Sequence, residues 1–422
     1  MEKIKIDYIT KVEGHAKLTV KLDKKRRPRL VRLDVFESPR YFETLIKGRN
    51  FKEVPYLASR ICGICSVAHH FGSMIAVENA LGVEVSEQTK ALRELLVIGG
   101  IMHSHALHLY LLALPDYLGY SSALDMTNKH LRLLKRGLRL KEAGNDIVNI
   151  IGGRSIHPLT SVIGGFTRLP KQEKINSLIK ELSDIKSDAL KTVELFSSLK
   201  MPRLNFETDF YALGEYSFIE GDVKSFSGSS FQAKEYKKYL KEKTVSYSTA
   251  KHVTINGKSF LVGPLARLNI NHRLLSEDAK KALKRVKLNI PSYNIFSANL
   301  VRAIEIVHCI DRAREILESL QLKKESIVKA RLKASEGISA TEAPRGVLYH
   351  HYRLSKAGNI TYVNIIPPTT QNVKNIEDCM KQFLQNINLP KKRMILELER
   401  LIRAYDPCFS CSAHFLEVEF IK

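Results

Sequence analysis

Apolar and polar residues alternate with the two-residue period of strands over residues 4–9, 16–22 and 30–36, with turn-like polar runs between them. After Pro55 the period lengthens to that of a helix. Residues 66–81 predict one helix, closed by Gly82, and residues 87–114 a long one, closed by Pro115. Two further amphipathic stretches occupy 129–143 and 171–198, the latter ending before Pro202. Residues 210–263 change character: Gly, Ser and Tyr are enriched, Asn256-Gly257 is a hairpin signal, and the stretch reads as a β-containing insertion. Helix returns over 292–320, a hairpin is expected over 346–366 around Ala357-Gly358-Asn359, and two last helices over 373–387 and 391–405. No repeat, low-complexity tract or linker interrupts this order. The pattern predicts one α+β domain over 1–422, helix-dominated, with a β-rich part at 1–50.

Composition changes little in this picture. With 422 residues, 44% hydrophobic and 26% charged, the chain is of ordinary globular make-up and excludes a disordered or collagen-like protein. No apolar run reaches the roughly 18 residues of a membrane span, because His103, Ser104, His105 and His108 interrupt the best candidate, 95–114. The first residues lack the apolar core of a signal peptide, so a cytoplasmic location is expected. A net charge of +23 invites a nucleic-acid reading. No helix-turn-helix, zinc-finger or RNA-binding signature accompanies it, and aromatics are not interleaved with the basic runs at 24–29 and 129–141. Solvated faces, or docking to an acidic partner subunit, are the better reading, with no nucleic acid bound.

The cysteines carry the chemistry. Of six, Cys309 and Cys379 sit in apolar helical stretches and read as small buried hydrophobes. The other four form two Cys-x-x-Cys pairs, Cys62/Cys65 and Cys408/Cys411, at opposite ends of the chain. By residue type they suit structural zinc, an iron–sulfur cluster, a redox disulfide or a catalytic metal. Zinc ribbons close short local loops, whereas a site joining the two ends is made by the whole fold. Four thiolates suit nickel, zinc or iron, and ligand type alone does not choose among them. Each pair is followed by a histidine, His69 and His414.

The flanks extend these pairs into long signatures: Arg60-x-Cys62-Gly63-x-Cys65-x-x-x-His69 and Asp406-Pro407-Cys408-x-x-Cys411-x-x-His414. Both resemble the large subunit of nickel–iron hydrogenases. Further stretches agree along the whole chain: Val12-Glu13-Gly14-His15, Pro39-Arg40-Tyr41-Phe42-Glu43 with Lys47-Gly48-Arg49, residues 152–158, Glu342-Ala343-Pro344-Arg345-Gly346 and Pro368-Thr369-Thr370. Residues 104–112 and 114–117 resemble the cytoplasmic bidirectional branch, above all the alpha subunits of NADP-linked sulfhydrogenases. Ser104 and Gln371 stand where the respiratory branch usually has Asp and Trp.

The resemblance implies a helix-dominated large-subunit fold built on a bundle of long helices, and reversible heterolytic cleavage of dihydrogen. Cys62 and Cys408 become terminal nickel ligands, and Cys65 and Cys411 bridges to an iron with carbonyl and cyanide ligands. Arg345 would lie over the open metal position with Asp406 orienting it through a bidentate pair. Thr369, beside Pro368, would donate to a cyanide. Glu13 would take the proton leaving Cys408. Glu43, His414 and a backbone carbonyl near Ile365 would bind magnesium, and His69 would hydrogen-bond a ligating sulfur. His103, His105 and His108 read as satisfied core histidines near the proton route. Four of six cysteines being committed, no iron–sulfur cluster fits in this chain, and no Gly-x-Gly-x-x-Gly fingerprint marks a nucleotide site. An iron–sulfur small subunit, a flavin subunit reducing NADP, a further iron–sulfur subunit, nickel-insertion factors and a maturation endopeptidase are therefore implied. The endopeptidase would cut after His414 and remove residues 415–422. Polysulfide reduction is a further implied activity. Deazaflavin- or viologen-linked hydrogenases and dihydrogen sensors share the signatures; the non-catalytic relatives in NADH:quinone oxidoreductase lack the cysteine pairs.

Overall fold

The computed structural model describes residues 2–37, 41–216 and 218–413. The chain opens with an antiparallel meander of β1 (Glu2–Ile6), β2 (Ala16–Leu22) and β3 (Pro28–Val35). The alternation seen in the sequence sets its faces: Ala16, Leu18, Val20 and Leu22 of β2 all point into the core.

Four long helices form the centre: α1 (Ser66–Leu81), α2 (Glu87–Leu107), α3 (Thr127–Gly152) and α4 (Gln172–Ser198). The predicted stop at Pro115 is not observed. Instead α2 runs on through a π-helical stretch, His108–Ala113, into a last turn, Leu114–Leu118, that ends at Gly119 in the left-handed region. Pro115 sits in the first turn of that last segment, where a missing N–H costs nothing. Helix α3 also outruns its prediction by nine residues, to a left-handed Gly153. The continuous helix Glu87–Leu118 is long and apolar enough to cross a membrane, yet 83% of its apolar window is buried inside the fold.

Residues 210–263 do contain strands: β4 (Asp209–Leu213), β5 (Val223–Ser225), β6 (Ser230–Phe231), β7 (Leu240–Val245), β8 (Ser248–Ile255) and β9 (Phe260–Val262). The Asn256-Gly257 hairpin is corrected, however. Both residues take positive φ, but the turn closes only the Ile255–Lys258 bridge. Strand β9 then leaves to pair in parallel with β4, while β8 pairs with β7. Helix α5 (Pro264–Asn271), absent from the sequence reading, follows directly.

Helix α6 (Ala298–Ser319) completes the bundle against α2 and α4. A second sheet, β10 (Ser335–Ala343), β11 (Gly346–Leu354) and β12 (Ile360–Ile366), is antiparallel and packs on α1. The hairpin of β11 and β12 matches its prediction. Strand β10 was hidden because polar residues along it are buried: Ser339 donates to the Gly72 carbonyl at 2.6 Å, and Glu342 accepts from Arg267. Last come α7 (Pro368–Gln385), begun five residues early by Pro368 in its first turn, and α8 (Lys391–Tyr405), within its predicted bounds.

Candidate metal centre

The two Cys-x-x-Cys pairs meet where three segments end. Cys62 lies on the turn after the short helix Val54–Ser59, Cys65 at the N-terminal end of α1, and Cys408 and Cys411 on the turn after α8. The Cys408 segment is held by the other end of the chain: Glu13 and Cys408 form a parallel bridge, and the Phe409 N–H donates to the Glu13 carbonyl at 2.9 Å. Gly14 makes this approach possible. Its φ is +80°, and a Cβ there would lie 2.8 Å from the Ser410 nitrogen.

All four sulfurs lie within 4.8 Å of one another and are buried. Cys62 Sγ is 3.4 Å from Cys408 Sγ, which is 2.8 Å from Cys411 Sγ. Hydrogen bonds from Cys408 and Cys411 favour thiolate at Cys62 and Cys65, while burial pushes Cys408 and Cys411 up. Four anions in a dry pocket repel one another and lose their hydration, so only bound cations let all four ionise together. The donor set thus fits one or two soft metal ions, and nickel with iron among them.

Arg345 occupies the two-residue turn between β10 and β11 and is buried over the sulfurs. Its Nη1 is 3.2 Å from Cys65 Sγ and 3.5 Å from Ser104 Oγ. The expected bidentate carboxylate pair is corrected. Arg345 Nη2 donates to Asp406 Oδ1 at 2.9 Å, but Nε donates to the Asp406 backbone carbonyl. The cause is local: Asp406 closes α8 in the left-handed conformation, φ 55°, which turns its carbonyl toward the guanidinium. The carboxylate is shared instead, with His108 Nδ1 at 3.0 Å and Arg302 Nε at 4.0 Å. Burial would push Asp406 up, but Arg345, His108 and Arg302 hold it well below the usual carboxylate range.

Glu13 Oε2 accepts from Cys408 Sγ at 2.9 Å and from the Ser410 N–H at 3.1 Å. Burial and the neighbouring Cys62 raise its carboxyl, against these two hydrogen bonds. Thr369 Oγ1 accepts the Cys408 N–H at 2.9 Å, which leaves its own hydrogen free to donate. Pro368 stands beside it at the start of α7. His69 is placed differently from expectation: its Nδ1 hydrogen-bonds His350 Nε2 at 3.2 Å, not a sulfur. Burial lowers His69 to about 4 and so keeps it neutral. Glu43 and Ile365 do meet, through the Ile365 N–H donating to Glu43 Oε1 at 2.8 Å, and burial lifts Glu43 to about 7. His414, Pro39, Arg40 and the tail 415–422 lie outside the described residues.

The three helical histidines have partners: His103 Nε2 the Ile64 carbonyl, His105 Nε2 Glu305, and His108 Nε2 Asn299. Sequence reasoning missed Arg302, Arg267, Glu305 and His350. A signal existed for two of them, since Arg302 and Glu305 interrupt the apolar stretch 300–307 of that helix, where both are buried.

A family model described as nickel-dependent hydrogenase matches residues 40–138 and 214–414, and one described as HoxL-like matches residues 3–37. The alpha chain of sulfhydrogenase 1 of Pyrococcus furiosus is 36% identical over 425 residues, spanning 98% of this chain and 98% of that protein. A vhu-type F420-non-reducing hydrogenase chain of Methanocaldococcus jannaschii is 32% identical, spanning 92% of this chain and 100% of that one. The crystal structure of an NAD+-reducing NiFe hydrogenase in the H2-reduced state superposes with a TM-score of 0.90 at 27% identity, covering 98% of this chain and 100% of that one.

Proposed function

Because the chain belongs to the nickel-dependent hydrogenase family as a large catalytic subunit, we propose that it cleaves and forms dihydrogen heterolytically at a nickel–iron site and exchanges electrons with NADP through partner subunits. The observation that carries this is the convergence of four buried sulfurs, from the two ends of the chain, under one buried arginine.

Cys62, Cys65, Cys408 and Cys411 would hold the metals, Cys62 and Cys408 as ligands of nickel and Cys65 and Cys411 as ligands shared with iron. When bound, the group, with an iron carrying carbonyl and cyanide, would supply the Lewis acidity that polarises dihydrogen for heterolytic cleavage. Arg345 presents a fixed positive charge there, always protonated and held by Asp406. Cys408 Sγ passes its proton over 2.9 Å to Glu13 Oε2, a distance suited to direct transfer. Thr369, its oxygen already occupied by the Cys408 N–H, would have its hydroxyl hydrogen left to donate to a cyanide, with Pro368 beside it in the first turn of α7. His69, neutral and hydrogen-bonded to His350, would stand near the cofactor as a polar neighbour. Glu43, the Ile365 carbonyl and His414 would hold magnesium, for which a carboxylate and a carbonyl are suitable oxygen donors.

Electrons leave to other subunits. Cys309 and Cys379 are buried apart from the four-thiol site, so no four-cysteine set remains here for an iron–sulfur cluster. Two iron–sulfur subunits, one of them the small subunit, lead to a flavin subunit reducing NADP, in a cytoplasmic assembly that also reduces polysulfide. The sulfhydrogenase relative, Ser104 and Gln371 support this branch. The F420-non-reducing relative favours a second reading, the same site with another acceptor; the subunits that copurify decide between them.

Metal analysis with infrared spectroscopy tests the site. About one nickel and one iron per chain are expected, with carbonyl and cyanide bands. Active protein holding zinc alone, without such bands, rejects the proposal.

A further inference from the structure

The turn that carries Arg345 is gripped from behind by a second arginine. Arg267, on α5, is 1% exposed, and its guanidinium spends all its reach on five acceptors. Nε and Nη2 fork onto Glu305 at 2.7 and 2.8 Å. Nη1 donates to Glu342 Oε2 at 2.7 Å and to the Ala343 carbonyl at 3.1 Å. Nη2 also donates to the Pro344 carbonyl at 3.1 Å. The two carbonyls immediately before Arg345 therefore both bind one rigid plane.

The same segment touches the turn a second time. A Cβ on Gly263, which precedes α5, would lie 2.8 Å from the Arg345 carbonyl oxygen, and Gly263 has a φ of +119°. Glu305 anchors the clamp to α6, where it also meets His105 of α2. Glu342 anchors it to β10 and to the Leu213 N–H at 3.0 Å. Turn, bundle and sheet are thus tied at one guanidinium.

We propose that Arg267 is a positioning residue for Arg345: it fixes the height and tilt of the turn, and so where the Arg345 guanidinium stands over the four-thiolate site. This rests on the proposed role of Arg345 at the metals. A planar fork suits the task and a lysine does not, because one ammonium cannot bind Glu305 bidentately and two backbone carbonyls at once. Small displacements matter at such a site, where misplacement by about 1 Å costs up to about 100-fold in rate.

A double-mutant cycle in the purified holoenzyme separates positioning from general stability. Arg345→Lys, Arg267→Lys and the pair are compared in dihydrogen turnover, nickel content and infrared cyanide bands. Arg267→Lys is expected to keep its nickel, shift the cyanide bands and lower turnover about 10-fold. In the Arg345→Lys background the same change is expected to lower turnover by less than about 2-fold, since the group being positioned is already gone. Full multiplication of the two losses, or unshifted bands with normal turnover in Arg267→Lys, overturns the inference while leaving the role of Arg345 intact. Normal turnover and bands in Arg345→Lys alone overturn that role, and the clamp with it. If Arg267→Lys does not load nickel, Glu342→Gln runs the same cycle with the same two readings; its amide cannot accept from both Leu213 and Arg267, so it weakens the clamp without removing the cation.

Discussion

At the scale of single residues, the site is a set of shared partners. Cys408 illustrates it: its thiol meets Glu13, its N–H meets Thr369, and its backbone bridges to the start of the chain. Glu13→Gln keeps size and hydrogen bonding but carries no proton. Metal content is expected to persist while turnover falls by roughly 100-fold or more, the usual worth of a proton-transfer group; near-normal turnover would remove Glu13 from the route. The residues that converge here, Glu13, Arg345 and Thr369 with the four cysteines, lie in the two cysteine signatures and in three of the further stretches the resemblance covers. What the signatures did not contain was the second layer, because Arg302, His108 and Arg267 act through backbone carbonyls and shared carboxylates that leave no mark on local spacing.

At the scale of elements, close packing and buried polar anchors decide how helices and strands meet. Helices α2 and α3 approach at glycines: a Cβ on Gly99 would lie 2.7 Å from the Gly144 carbonyl oxygen. That contact is with backbone, which cannot swing aside. Gly99→Ala is expected to destabilise by about 1–3 kcal/mol, an overpacking cost, seen as a lowered Tm; an unchanged Tm would mean the helices can part freely. Helix α7 is fastened to the N-terminal meander by Glu377, which accepts from the Leu33 N–H and from the Tyr247 hydroxyl, both at 2.9 Å. Burial lifts its carboxyl to about 7. The folded chain then keeps a proton that the unfolded chain has already released. Stability therefore falls as pH rises from about 4.5 to about 7, and stays lower above that. Glu377→Gln removes this slope, so the Tm of the variant relative to wild type is expected to climb over that window, by the equivalent of about 1–3 kcal/mol. A constant difference across pH would show that Glu377 does not titrate there.

At the scale of the whole molecule, the last motif must enter a closed site. Cys408 and Cys411 are buried and tied to residues 13 and 369, so the C-terminal end can take this place only after the rest has formed around it. A tail that holds this end back during metal delivery would be removed afterwards. Intact mass of the nickel-loaded protein is expected to correspond to an end at His414; full nickel in a chain still ending at Lys422 would reject removal. Much of this molecule is legible in one dimension. Periodicity marked α8, which buries one apolar face, and the apolar stretch closed by Gly82 marked α1, which is buried on nearly all sides; turn residues marked the hairpin of β11 and β12. The paired cysteines and their flanks marked the centre, because metal ligation demands particular atoms at short spacing. Strand β10, the parallel pairing of β9 with β4 and the uninterrupted run through Pro115 were not legible. The first two are decided by distant partners, a helix that satisfies buried Ser339 and a strand far earlier in the chain, and the third by an adjoining π-helical stretch that sets Pro115 in a first turn. The same holds for the Asp406 carboxylate, whose sharing among Arg345, His108 and Arg302 exists only once four separate segments have packed together.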